Sequence, residues 1–495
     1  MRANSTAVVI GSGFGGLSAA IRLQALGFRT TILEKHPQLG GRAGRIEEKG
    51  YVFDAGPSLV TAPSVLDAVF RAGGTSLAER LPLVPLDPYY RVHFHDGTWI
   101  DYSGDGEAMK AQMRRFNAAD ADNYDRFLRD ARPIHQAIML DGLGGSPLDT
   151  PWKMLKFVPK ALRLNAHLPL HWNVSRYFKD FRHRFLFSFH PLFIGGNPFT
   201  SPSIYMMISY LEKSEGVWFS PGGMHSVVDA FEKLFRELGG EVLTSHEATR
   251  IEVQGGKAVA VHAAGKRFPA DIVVSNGDVG HTYRDLVAPE HRRKWTDAKV
   301  AKIDQSMSCF LLYIGTRRKY DNLKHHTLIL SERYKELIRD IFDRKILPDD
   351  FSLYLHTSTR TDPSLAPEGC ESIYVLAPVA NNHSGIDWKT TGPVLAERIL
   401  DFLETWGLED LRANIEVLKT ATPDTFENAL NSLAGNAFGP APTLLQTGYL
   451  RPHNRSEDVR GLYFVGAGTH PGAGVPGVLL SAEAMEKCVR EDHPE

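Results

Sequence analysis

Thr6-Ala7-Val8-Val9-Ile10-Gly11-Ser12-Gly13-Phe14-Gly15-Gly16 decides the fold of this chain. The run Thr6 to Ile10 is too short for a helix and ends at glycine, so it reads as a buried strand. Gly15 to Leu26 carries Leu17, Ala20, Ile21, Leu23 and Leu26, a helical apolar stripe closed by Gly27. Thr30 to Leu33 is a second β-branched run with Glu34 at its end. Strand, glycine turn, helix and strand make a βαβ beginning and imply a parallel sheet of the α/β class. Within the G-x-G-x-x-G turn, Gly11 permits the tight bend and Gly13 lets a pyrophosphate approach the backbone. Gly16 lets the helix pack closely on the strand. The helix N-terminus meets phosphate charge with free N–H groups, which brings Ser12, Phe14 and Gly15 into the candidate site. Glu34 stands 23 positions beyond Gly11, where an acid accepts hydrogen bonds from ribose hydroxyls, and Lys35 follows it.

Three further stretches favour FAD over a nicotinamide. Leu39-Gly40-Gly41-Arg42-Ala43 brings backbone N–H groups and a guanidinium to the pyrophosphate from its other side. Asp54-Ala55-Gly56-Pro57-Ser58 is a small-residue turn able to lie flat against a ring system. Far along the chain, the glycine loop Gly466 to Val478 contains Gly468, Val475 and Gly477 and precedes a helix. The dipole of that helix favours negative charge on a reduced flavin.

The chain has 495 residues, 43% of them hydrophobic, which is more than one core organises. With 56 Lys+Arg against 58 Asp+Glu the net charge is −2, so no electrostatic case exists for nucleic acid. Three distant cysteines without a C-x-x-C argue against a disulfide framework or a zinc site, and the expectation is no metal and a reducing cytoplasm. The first apolar strand begins near Thr6, which leaves no room for a signal peptide. Later strands, Glu241 to Leu243, Ile272 to Ser275 and Leu462 to Val465, return to the first sheet. One nucleotide domain is therefore expected from residues 1–75, 216–290 and 455–495. A second, mixed-sheet and helical domain is expected from 76–215 and 291–454, for substrate and membrane association.

No stretch reads as a transmembrane helix. Phe185 to Leu211 lacks Asp, Glu, Lys and Arg but is broken by Pro191, Gly195, Gly196, Pro198 and Pro202. Attachment to one leaflet has a separate signal. Lys153 to Arg184 carries eight Lys/Arg and one acid, Asp180, and Lys153, Lys156, Lys160 and Arg163 share one helical face. Pro159 divides that segment into two short helices. The basic stripe and the phenylalanine-rich stretch after it are expected to hold the protein on a lipid surface.

The glycine turn, the Gly-Gly-Arg and the C-terminal glycine loop resemble the flavin amine-oxidase superfamily, and within it the bacterial carotenoid desaturases of the phytoene desaturase type. The closer match rests on Phe187-Ser188-Phe189-His190, Gly195-Gly196-Asn197-Pro198-Phe199, Arg451-Pro452-His453-Asn454-Arg455 and His470-Pro471-Gly472-Ala473-Gly474, among segments that extend over nearly the whole chain. The resemblance implies FAD, phytoene and partly desaturated carotenoids as substrates, and a cytoplasmic protein attached to the inner membrane. Electrons would pass to a quinone or oxygen. It also implies that Gly56 to Ser58, Gly468 and Val475 to Val478 approach the isoalloxazine and that Ala248 offers backbone to the adenine. The activity implied is successive desaturation of 15-cis-phytoene to lycopene. Its alternatives are a neurosporene-forming enzyme, one acting on diapophytoene or hydroxylated carotenoids, a flavin amine oxidase, or a non-catalytic carotenoid binder. No catalytic acid or base stands out. His470 lies in the flavin-side loop, and His325-His326 reads as a surface pair.

Overall fold

The computed structural model describes residues 5–494. Thr6–Ile10 lies at the centre of a parallel sheet ordered Leu462–Phe464, Ile272–Ser275, Thr6–Ile10, Arg29–Leu33, Glu241–Leu243. Val8 sits between Val273 and Thr31. Ala7, Val9, Ile32 and Val274 pack into one core, while Val8, Ile10, Leu33 and Val273 pack into another. Burial on both faces explains why these strands read as continuous apolar runs rather than alternating ones. The sheet is Rossmann-like and assembled from three separated parts of the chain, as the sequence predicts.

Helix Phe14–Ala25 follows the glycine turn and packs against helices His225–Glu237 and Val475–Asp492. It ends where expected. Gly27 takes φ +90°, a conformation that suits glycine, and the N–H groups of Gly27 and Phe28 return to the carbonyls of Gln24 and Leu23.

The second body is a seven-stranded sheet ordered Ile415–Ala421, Ser308–Thr316, Glu371–Val379, Leu353–His356, His326–Ile329, Tyr90–His93, Trp99–Tyr102. All neighbours are antiparallel except His326–Ile329 beside Tyr90–His93. Strand periodicity gives it two characters. Phe310, Leu312 and Ile314 face a core shared with helix Trp388–Trp406. Cys309, Leu311 and Tyr313 face an aromatic core on the other side.

That aromatic core corrects one expectation. Phe185, Phe187 and Phe189 are buried among Tyr90, Phe127 and Phe178, so these phenylalanines are interior and not offered to lipid. Its lack of charge reflects burial. The preceding segment does form two helices, Pro151–Leu155 and Val158–Arg163, parted before Pro159. Among the described residues no helix is long and apolar enough to cross a membrane.

Candidate cofactor and substrate site

A cavity of about 560 Å³ runs from the glycine turn at the edge of the parallel sheet to the aromatic face of the seven-stranded sheet. Gly11, Ser12, Gly13 and Phe14 form its first wall, with Glu34, Lys35, Gly41 and Arg42 beside them. Gly11 has φ +88°, the bend the sequence assigns to it. A Cβ on Gly13 would come within 2.9 Å of Asn276 Nδ2, and one on Gly16 would collide with the Gly11 carbonyl. Backbone alone fits here. Gly15 and Gly16 stand behind the wall and act through packing.

The charges around this wall suit an anion. Helix Phe14–Ala25 has Gly13 as its N-cap, no side-chain cap and no acid in its first turn. Its free N–H groups therefore remain available. Arg42 Nη2 donates to Ser432 Oγ at 2.6 Å, whereas its Nε is buried without a partner. Desolvation pulls the Arg42 pKa below its ordinary value, with Asp278 opposing, so a bound diphosphate would relieve it. Glu34 accepts from Ser12 N–H at 2.9 Å, Ser12 Oγ at 2.5 Å and His36 N–H at 2.8 Å. These bonds leave capacity for a hydroxyl, since a carboxylate offers about four acceptor sites. Lys35 pairs with Glu247 at 3.2 Å and donates to Asn431 Oδ1 at 2.8 Å. Ala248 lines the same end. These residues fit the nucleotide and diphosphate portions of FAD.

Gly56, Pro57 and Ser58 line the same cavity, as do Val475, Gly477 and Val478. Helix Val475–Asp492 begins there, again with a glycine N-cap, no side-chain cap and no acid in the first turn. Two uncapped helix N-termini thus meet one cavity. Gly468 does not reach it: a Cβ there would meet Val279 Cγ2 at 2.8 Å, so this glycine serves loop packing instead. Arg451 holds the loop, donating to Ala467 O at 2.7 Å, Thr469 O at 3.1 Å and Pro440 O at 3.1 Å. Burial lowers its pKa to about 10. Asn454 Nδ2 donates to His470 O at 2.9 Å.

The far end is apolar, lined by Phe185, Phe189, Phe193, Ile204, Leu328 and Tyr334. Glu212 is the acid in this region, and it is fully buried. It accepts from Tyr90 OH at 2.6 Å and faces His190 Nε2 at 3.1 Å. Sequence reading misses it because its partners lie 122 and 22 residues away. His470 lines the cavity; burial lowers its pKa to about 4, Nε2 lies 3.4 Å from Leu143 O, and Nδ1 has no partner. Asn276 was also missed, although it touches the Cβ positions of Gly13, Gly15 and Gly466. The pair His325-His326 is not on the surface. Both are buried, at the start of an interior strand, against His356.

The Flavin containing amine oxidoreductase family matches residues 14–485. A lycopene-forming phytoene desaturase from Pseudescherichia vulneris is 42% identical, over 98% of this chain and 99% of that protein. A neurosporene-forming phytoene desaturase from Rhodobacter capsulatus is 38% identical over 98% of this chain and 93% of its own length. Among solved structures, putrescine oxidase bound to putrescine has a TM-score of 0.65 at 15% identity, covering 99% of this chain and 98% of that one, which is a likeness of fold. The chain belongs to the flavin-containing amine oxidoreductases and, among them, to the phytoene desaturases: it is an FAD-dependent oxidoreductase.

Proposed function

We propose that the protein introduces successive double bonds into 15-cis-phytoene and carries it to lycopene. The observation that carries this reading is the cavity, which joins a dinucleotide cradle to an apolar chamber walled by phenylalanines. A hydrocarbon enters such a chamber without losing hydrogen bonds, whereas an amine would lose its hydration there. The chamber's one buried acid, Glu212, is already engaged by Tyr90 and His190. Two relatives named as phytoene desaturases over nearly the full length support the same substrate.

Gly11 to Gly13, Gly41 and Arg42 hold the diphosphate, Glu34 the ribose and Ala248 the adenine edge. Gly56 to Ser58 with Val475, Gly477 and Val478 orient the ring system. Bound FAD supplies the hydride acceptor. The apolar walls position the chain and exclude water, which is most of what dehydrogenation of an unactivated hydrocarbon asks of a protein. A quinone or oxygen would take up the hydride's two electrons together with the proton lost from the neighbouring carbon. Residues 1–75, 216–290 and 455–495 serve the cofactor, and 76–215 with 291–454 serve the substrate.

Substrate arrives from a lipid surface at the rim formed by Pro151–Leu155 and the packed segment Gly448–Leu450. Trp152 is 74% exposed and Leu445 77%, with Leu155, Leu162 and Leu450 exposed nearby in these segments or beside them. Leu148, Thr447 and Gly448 behind this rim line the cavity. Charge contributes less than the sequence suggests. Lys153 pairs with Asp149 at 2.8 Å and Lys160 with Asp141 at 3.3 Å, both acids lying outside the basic segment.

The test is pigment extraction from a host that makes only phytoene, with and without this chain. Lycopene is expected. Unchanged phytoene overturns the reading, and accumulation of neurosporene replaces it with the shorter desaturation series.

A further inference from the structure

Three imidazoles converge where the seven-stranded sheet meets the cofactor body, and neither cofactor nor substrate binding uses them. His326 opens its strand directly opposite His356, which ends the neighbouring antiparallel strand. His325 precedes it. All three are buried, at 7%, 0% and 2% exposure for His325, His326 and His356. One nitrogen from each lies within 4.8 Å of the other two, and Nε2 of His325 is 3.2 Å from Nε2 of His356.

Two of the remaining nitrogens have hydrogen-bond partners. His325 Nδ1 lies 2.6 Å from Thr361 Oγ1, and His326 Nδ1 lies 2.8 Å from Tyr354 OH. His356 Nδ1 faces Asp54 Oδ2 at 4.0 Å. Thr361 and Tyr354 lie on the Nδ1 side of His325 and His326, which leaves Nε2 of each ring to the cluster. Two imidazole nitrogens 3.2 Å apart share either a proton or a cation. His326 Nε2 and Asp54 Oδ2 are both buried without a partner, the condition expected of a donor set built around an ion. Ligating histidines characteristically give one nitrogen to the metal and the other to an outer hydrogen bond.

We propose that His325, His326 and His356 bind one divalent transition-metal ion through their inward nitrogens, with Asp54 behind them as the balancing charge. An imidazole donor set favours zinc-like ions over magnesium or calcium. The Phe219 ring packs against that of His325, with the centroids 4.7 Å apart. The ion would tie Asp54, which ends strand Tyr51–Asp54 of the cofactor body, to two strands of the substrate sheet. Tyr354 OH, 2.5 Å from Ser58 Oγ, connects that tie to the cavity wall.

The test uses tag-free, FAD-loaded full-length protein grown with added zinc, passed through gel filtration in EDTA and analysed for metal, protein and flavin. About one zinc per chain is expected in the wild type, and less than roughly a tenth of that in His326→Gln and His356→Gln with flavin content unchanged. Should those variants fail to fold, the wild type alone decides. Stripping with a strong chelator should lower Tm by several degrees, restored by Zn²⁺ and not by Mg²⁺. Cobalt uptake should give visible d–d absorption. Wild-type protein without stoichiometric metal and without a Tm response to Zn²⁺ overturns the proposal. So does metal content that is equal in wild type and folded variants.

Discussion

Arg451 donates to the carbonyl of Ala467 at 2.7 Å, and through that bond a residue outside the cavity sets the shape of its C-terminal wall. The guanidinium also holds the carbonyls of Thr469 and Pro440. Arg451→Met would leave these buried acceptors unpaired, at a cost of about 2–4 kcal/mol. Arg451→Lys places a single ammonium where a planar fork bridged several carbonyls and should fall between the two. We expect Tm and flavin content to decline together in the order wild type, Lys, Met. A Met variant with wild-type Tm would show that the loop is held by other contacts.

Gly13→Val places a branched side chain against Asn276 Nδ2, on the surface assigned to the diphosphate. Protein lacking flavin absorbance but retaining secondary structure is expected. Flavin at wild-type stoichiometry would refute the assignment of this turn.

His470 ties stability to pH. Burial lowers its pKa to about 4, against an ordinary value of about 6.5. The unfolded chain therefore takes up a proton near pH 6.5 that the folded protein refuses until near pH 4. Its contribution is complete above about 6.5 and falls as the pH drops from there to about 4, by roughly 3 kcal/mol in all. His470→Asn should flatten the Tm–pH profile across that window, and a profile parallel to wild type would remove His470 from the account. In the same variant, desaturation should slow modestly with flavin content. A fall of 10²–10⁴-fold with flavin intact is the signature of lost acid–base catalysis.

Lipid attachment should depend on apolar area more than on charge. Trp152→Ser with Leu445→Ser should abolish most sedimentation with vesicles. Lys156→Gln with Arg163→Gln should reduce binding only to anionic vesicles at low salt. Indifference of the first pair would move the attachment surface elsewhere.

Much of the cofactor half was legible from the sequence because its signals are local. A glycine at positive φ, a helix stripe and an acid after the second strand each lie within a few dozen residues, and Gly11, Gly27 and Glu34 stand where that logic places them. Even there one assignment failed: Gly468 belongs to a readable loop, but its distance from the wall depends on Val279. The remaining misses were set by register and long-range packing. His326 meets His356 because two strands pair with a particular alignment, and an adjacent histidine pair carries no trace of that. The uncharged stretch around Phe187 was compatible with lipid or with core, and only its packing against Tyr124 and Phe178 decides between them.

The two uncapped helix N-termini that face the cavity also set an order of events. One follows Gly13 and the other begins at Val475, so nearly the entire chain is synthesised between the two halves of the cradle. During translation the first half exists without its counterpart, its N–H groups facing water, and it cannot enclose a dinucleotide. A cavity walled by both helix N-termini therefore exists only once the chain has been made past residue 475. The glycine turn, complete within the first few dozen residues, thus waits for the last twentieth of the chain to give it a facing wall.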